Sequence, residues 1–131
     1  MNSHETYCSL ETAKLLKQAG FDWGVVTNYS TDSKDEEFIL KERCNFNWNQ
    51  SDIQYECYSA PSLSITQKWL REVKGYVLLI NYHEYLKTYY YSICYIQNQN
   101  RFIDDREDCR DTSYEEALEA GIKKCLELLL K

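Results

Sequence analysis

The segment Tyr58–Gln97 decides the fold that the sequence predicts. It reads YSAPSLSITQKWLREVKG (58–75), then YVLLINY (76–82), a short polar turn, and YYYSICYIQ (89–97). Pro61 and Ser62 are typical of a helix start, because proline is tolerated in the first turn and a serine side chain can accept N–H groups that lack partners there. Gly75 is typical of a helix end, since glycine readily adopts the left-handed conformation that closes a helix. The first part of the segment therefore predicts one helix.

Apolar side chains recur along this helix at spacings of about three and four residues. Such a pattern indicates a stripe that faces a core. Trp69 lies in the middle of the stripe, so we expect it to connect the helix to the sheet that follows. The predicted stripe consists of Leu63, Ile65, Trp69, Leu70 and Val73.

After Gly75 the pattern changes to alternation, which is typical of β-strands. Strands are expected at Tyr76–Tyr82 and Tyr89–Ile96, with His83–Thr88 as the loop. Directly opposed residues of a hairpin share a face, so one face is apolar throughout. The predicted pairs are Tyr82 with Tyr89, Ile80 with Tyr91, Leu78 with Ile93, and Tyr76 with Tyr95.

The opposite face of the hairpin is mixed and supplies a candidate interaction surface. If helices cover the apolar face, an apolar patch stays exposed on this second face, and such patches mark contact sites for other proteins. The candidate residues are Val77, Leu79, Tyr90, Cys94 and Ile96.

The rest of the chain supplies two more helices and further strands. Ser9 can cap a helix over Leu10–Ala19, and Ser113 with Glu116 forms a capping box before a final amphipathic helix. Alternation predicts strands at Gly24–Tyr29, within Phe38–Trp48, and at Ile53–Cys57. The polar segment Asn98–Thr112 is interpreted as a long surface loop.

The predicted order of elements is α-β-β-β-α-β-β-α. Short links between strands favour an antiparallel sheet, here of four to five strands, with three helices on one face in a two-layer α+β fold. A chain of 131 residues supports one core, so residues 1–131 are expected to form a single domain.

Composition argues against several functional classes. The net charge is −6, which opposes the counterion release that drives most binding to nucleic acids, so no direct nucleic-acid contact is expected. No apolar run is long enough to span a bilayer, and Met1–Cys8 lacks the features of a signal peptide. We therefore expect a cytoplasmic protein with no membrane contact.

No motif in the chain predicts a cofactor, a metal site or catalysis. His4 and Cys8 have a ligand-like spacing, but no second Cys/His pair has the tight spacing of structural zinc sites. The six cysteines are scattered, so we interpret them as reduced residues that fill space. A thiol beside His4 or His83 leaves a cysteine-dependent enzyme as an alternative.

Three parts of the chain resemble a family of small uncharacterised proteins encoded by Bacteroides-type gut bacteria and their phages or prophages. The residues that carry the likeness are Ser9–Phe21, Pro61–Glu72 with PSLSITQKWLRE, and Ser113–Leu129 with SYEEALEAGIKKCLELL. The resemblance implies a mobile-element origin and transfers no functional residues.

The leading hypothesis is therefore a small phage- or prophage-type accessory protein that acts by contacting another protein or a second copy of itself. Twelve tyrosines favour this, because tyrosine offers a large apolar area and a polar tip. An alternative is an acidic decoy that mimics nucleic acid and inhibits a host DNA-binding enzyme. The acidic stretches Asp32–Glu37 and Asp104–Asp111 suggest this alternative.

Overall fold

The computed structural model describes residues 5–31, 38–50, 57–97, 100–105 and 111–131. The predicted α+β class is confirmed, with three helices and antiparallel strands in the expected order. The strands of the described residues form two three-stranded sheets instead of one. The chain divides into two compact units, Met1–Ser62 with Leu130 and Leu63–Leu129 with Lys131, and each unit contains one of the sheets. That the whole chain is a single domain stays a prediction.

The first unit begins with helix α1, Leu10–Gln18. The hydroxyl of Ser9 accepts a hydrogen bond from the backbone N–H of Thr12 at 3.3 Å, so the predicted cap is confirmed. Gly20 has a φ of 91°, a value that favours glycine, and it follows the helix where the stop was expected. Ala13 and Leu16 are buried on the inner side of α1.

The first sheet has the antiparallel order β2-β1-β3, with β1 at Val25–Ser30, β2 at Ile39–Phe46 and β3 at Cys57–Ser59. Its register shifts between Val25 and Thr27, where β2 is bulged. The alternation within Phe38–Trp48 is typical of a half-buried strand. In the structure β2 lies at the edge of the sheet, and Cys44 and Phe46 are exposed, as are the alternate residues Arg43 and Asn45.

Between β2 and β3, the short 3₁₀ helix Trp48–Gln50 connects three segments of the first unit. Asn49 donates from its side-chain amide to the carbonyl of Phe21 at 2.9 Å and accepts from the N–H of Ser59 at 2.9 Å. The indole N–H of Trp48 donates to the carbonyl of Val25 at 2.8 Å. This short 3₁₀ helix is therefore an anchored element of the unit.

The second unit begins with helix α2, Leu63–Trp69, and a π-helical segment follows at Leu70–Lys74. Gly75 closes it in the left-handed conformation at φ 78°, as predicted. Leu63, Thr66, Trp69 and Leu70 are buried, so Trp69 belongs to the core as expected.

The predicted stripe is wrong at two positions, because Ile65 and Val73 are exposed. Ile65 lies two residues after Leu63, which is about half a turn of an α-helix and therefore the other side. The wider i→i+5 turns of the π-helical segment rotate Val73 away from the core. Hydrophobic periodicity cannot reveal such a change of pitch.

The second sheet has the antiparallel order β4-β5-β6, with β4 at Tyr76–His83, β5 at Thr88–Gln97 and β6 at Asn100–Asp105. The predicted register of the hairpin is confirmed at all four pairs. The interpretation of Asn98–Thr112 as a loop is wrong in its first half, because Asn100–Asp105 pairs with β5. An edge strand has one partner and a polar sequence is common there, so periodicity did not indicate it.

Helix α3, Tyr114–Leu129, packs against β4 and β5. The N–H of Glu116 donates to the hydroxyl of Ser113 at 3.1 Å, which confirms the helix start. A Cβ on Gly121 would lie 2.5 Å from a methyl carbon of Leu78 and 3.0 Å from Cβ of Tyr91. Glycine is thus required for this close packing, and the core of the second unit lies between the helices and the apolar face of the hairpin.

Candidate interaction surface on the second sheet

The face of the β4–β5 hairpin that points away from α3 carries the predicted interaction residues. Val77 is directly opposite Cys94, and Tyr90 is opposite Asn81. Val77 is 39% exposed, Leu79 is 55% exposed and Ile96 is 72% exposed. Tyr90 and Cys94 are half-buried. We call these five residues the outer patch.

The exposure of the outer patch follows from the alternation of strand side chains. Leu78 and Ile93 point towards the helices and are almost completely buried, whereas their neighbours Val77 and Leu79 point outwards. On the outward side the amide of Asn81 donates to the hydroxyl of Ser92 at 2.9 Å. The outer patch is therefore a mainly apolar surface on a fully paired hairpin.

A wide, open cavity of about 660 Å³ lies at the turn end of the hairpin. Nδ1 of His83 accepts from the N–H of Leu86 at 3.2 Å, which orients the imidazole within the turn. The described residues that line the cavity are Tyr82, His83, Glu84, Tyr85 and Tyr90. No cysteine is among them, so this cavity does not bring a described thiol to His83.

One edge of β4 faces away from β5, and the hydrogen bonds show which backbone groups lie there. Tyr89 exchanges both backbone hydrogen bonds with Asp111, so its groups point away from β4. In an antiparallel pair, two directly opposed residues either bond to each other or both direct their N–H and C=O groups away from each other. Tyr82 is opposite Tyr89, so its backbone groups point to the outer edge of β4. Leu78 has the same orientation, since its carbonyl accepts from the side-chain amide of Gln67 at 2.8 Å.

Gln67 is a contributor that sequence reasoning missed. It lies on α2, and its side-chain amide occupies one backbone acceptor on the edge of β4. A glutamine on a helix is ordinarily a solvated residue. Nothing in the position of Gln67 along the sequence indicates that its side chain bonds to a backbone carbonyl of a strand.

The environments of the five described cysteines differ. Cys8, Cys57 and Cys125 are buried, Cys94 is half-buried and Cys44 is exposed. Burial raises the pKa of the Cys57 thiol above its ordinary value, although Lys17 and two further cations act in the opposite direction. A thiol with a raised pKa is a weak nucleophile at neutral pH.

Several other sequence hypotheses fall partly or wholly outside the described residues. His4 is not described, and neither is the acidic stretch Asp32–Glu37. Of the second acidic stretch, Asp104 and Asp105 belong to β6 and Asp111 is also described. Burial, followed by the nearby carboxylate of Glu116, raises the pKa of the Asp111 side chain. Within the described part of the chain, no group of three His, Cys, Asp or Glu side chains is placed to hold a metal ion.

Comparison of the chain with protein-family models, curated proteins and solved structures finds no match. Among the described residues, no helix has both the length and the apolar character that crossing a membrane requires. Function is therefore inferred from the sequence and the geometry of this chain.

Proposed function

We propose that this chain is a small accessory protein of phage or prophage type, cytoplasmic, that acts by contacting another protein through the outer patch. The observation that carries the proposal is the exposure of Val77, Leu79 and Ile96 on one side of a paired sheet. Apolar side chains grouped in this way are typical of contact sites, whereas singly scattered ones are ordinary on a protein surface.

The surroundings of the patch favour a protein over a small molecule as the partner. The patch is a sheet face, and small-molecule sites are usually concave and enclose most of the ligand. Tyr90 within the patch and Tyr85 near it offer ring area together with a hydroxyl, a combination enriched in protein interfaces. The net charge of −6 favours a partner whose rim is basic, because complementary charge speeds association.

The experiment compares capture by the wild-type chain with capture by two lysine variants. Ile96→Lys places a charge in the outer patch, and Val73→Lys places the same charge at a 50% exposed position on the π-helical segment. Each tagged protein is incubated with lysate of a Bacteroides-type bacterium, and the captured proteins are quantified by mass spectrometry.

The proposal expects a protein that wild type and Val73→Lys retain equally and that Ile96→Lys loses at least tenfold. Both variants should keep the melting temperature of wild type within a few degrees, because changes at exposed positions are usually small. Equal capture by all three proteins would show that the outer patch is not the contact surface.

A further inference from the structure

The edge of β4 is an unprotected pairing surface. β4 runs YVLLINYH from Tyr76 to His83 and contains neither proline nor an acidic or lysine side chain. Natural proteins usually protect a strand edge with charges, prolines or a covering element, because exposed N–H and C=O groups recruit further strands. Here the one described protection is the Gln67 amide on the carbonyl of Leu78.

Between Leu78 and the turn, the backbone groups on the outer edge of β4 can still pair with another strand. The backbone groups of Ile80 and Tyr82 point away from β5, as the pairing of Tyr89 with Asp111 requires. In the part of the chain that the structure describes, these groups have no hydrogen-bond partner. Ile80 is half-buried and Tyr82 is 51% exposed, so neither residue is enclosed by the part of the chain that the structure describes.

We propose that a second copy of this chain pairs antiparallel with β4 along this edge, around a twofold axis at Asn81. In that arrangement Ile80 of each copy is opposite Tyr82 of the other copy. Each of these two pairs, one on either side of the axis, forms two N–H···O bonds. Asn81 then lies opposite Asn81 of the second copy.

The sequence of β4 fits a copy of itself. Side chains directly opposite each other destabilise a sheet when they carry like charges, and β4 carries no carboxylate, lysine or arginine to oppose itself. The bonded carbonyl of Leu78 limits the pairing to the part of the edge near the turn, which centres the contact at Asn81.

The dimer has a consequence for the outer patch. A three-stranded face about eight residues long covers roughly 400 Å² at ordinary strand spacings. That is about half of the roughly 800 Å² that each partner contributes to a stable protein interface. Pairing at β4 joins the two three-stranded faces into one continuous six-stranded face. The area of this face then reaches the roughly 800 Å² that one partner contributes to a stable interface. Such a dimer is an interaction beyond the contact of a single outer patch with another protein.

The experiment exploits the position of Asn81 on the proposed axis. Asn81→Asp and Asn81→Lys each place two like charges opposite one another in a symmetric dimer, whereas an equal mixture of the two allows an opposite-charge pair. Asn81 is half-buried and its side chain binds Ser92, and an aspartate there can still accept from that hydroxyl. Sedimentation velocity over a wide concentration range measures the dissociation constant of each sample.

We expect wild type to dimerise, each single variant to dimerise about fivefold or more weakly, and the mixture to regain wild-type affinity. Circular dichroism and melting curves verify that both variants fold, and restoration in the mixture itself requires two folded chains. The control Ile96→Lys, on the face and away from the edge, should dimerise as wild type does.

Three results would overturn the inference. One is a wild-type chain that stays monomeric at every concentration, and another is dimerisation of the Asn81 variants that equals wild type. The third is loss of dimerisation in Ile96→Lys alone, which would assign self-association to the outer patch. Capture of a foreign protein through the patch is measured independently, so failure at the edge and failure of the proposed function are distinguishable.

Discussion

Truncation of Trp69 should destabilise the protein more than any other single aromatic truncation in α2 or the 3₁₀ helix. Trp69 is 0% exposed, whereas Trp48 is half-buried. Replacing a buried aromatic side chain by alanine costs about 3–5 kcal/mol, because apolar contacts are lost and a cavity remains. That is a large part of the roughly 5–15 kcal/mol by which a small domain is stable.

The expected change in melting temperature follows from the size of the chain. At about 2.1 cal/mol/K per residue, unfolding of 131 residues carries an entropy near 0.28 kcal/mol/K, so Trp69→Ala should lower the melting temperature by about 10–20 °C. The variant should be poorly folded at 37 °C.

Trp48→Ala should cost less, about 1–2 kcal/mol. It removes one hydrogen bond to the carbonyl of Val25 and an edge contact with Phe46 at 5.1 Å between ring centroids. Val73→Ala is the matched control in the same helical region, because Val73 is exposed and its truncation should change little.

The assay is thermal unfolding followed by circular dichroism for wild type and the three variants. If Trp48→Ala melts at a lower temperature than Trp69→Ala, the assignment of Trp69 to the core of the second unit is wrong. A large loss in Val73→Ala would equally contradict the rotation of that residue out of the core.

Three further predictions concern packing, pH and thiol reactivity. Gly121→Ala should lower stability by about 1–2 kcal/mol in chemical denaturation despite the better helix propensity of alanine, because its Cβ would collide with Leu78; an unchanged midpoint would contradict the close packing. The raised pKa of Asp111 means that folding favours the protonated carboxyl and that ionisation of this carboxyl opposes folding. The stability contributed by the protonated form is fully present below the ordinary carboxyl pKa and is lost as the pH rises through the raised value. Asp111→Asn should therefore gain stability relative to wild type between pH 4 and neutrality in melting curves, and a parallel pH profile would refute this. With iodoacetamide at neutral pH, mass spectrometry should find Cys44 labelled at least tenfold faster than Cys57; fast labelling of Cys57 would revive the hypothesis of a cysteine-dependent enzyme.

The outer patch could be predicted from the sequence, whereas the edge beside it could not. Successive side chains of a strand point to opposite faces of the sheet. The confirmed register of the hairpin therefore places three residues on the outward face, namely Val77, Leu79 and Ile96. The edge of β4 depends on which strands lie beside it, and that depends on pairings between distant segments. The part played by Gln67 is likewise a contact in space.

Local chemistry explains what the sequence by itself determined. The cap at Ser9, the glycine stop at Gly75 and the start of α3 at Ser113 each depend on residues a few positions apart. The hairpin register likewise follows from a short loop and the alternation on either side of it. Such interactions form wherever the local chain adopts the corresponding conformation, so a pattern in one dimension is enough to predict them.

The tertiary structure alone decided the features that depend on distant neighbours. Asn100–Asp105 is a strand because β5 offers it a partner, and Asn49 becomes an anchor because Phe21 and Ser59 lie within its reach. The π-helical turns that expose Val73 and the division of the strands between two sheets also have no local signal. Buried backbone groups must find hydrogen-bond partners, and packed side chains must fill the available space. Which groups satisfy these two requirements is known only when the chain is folded.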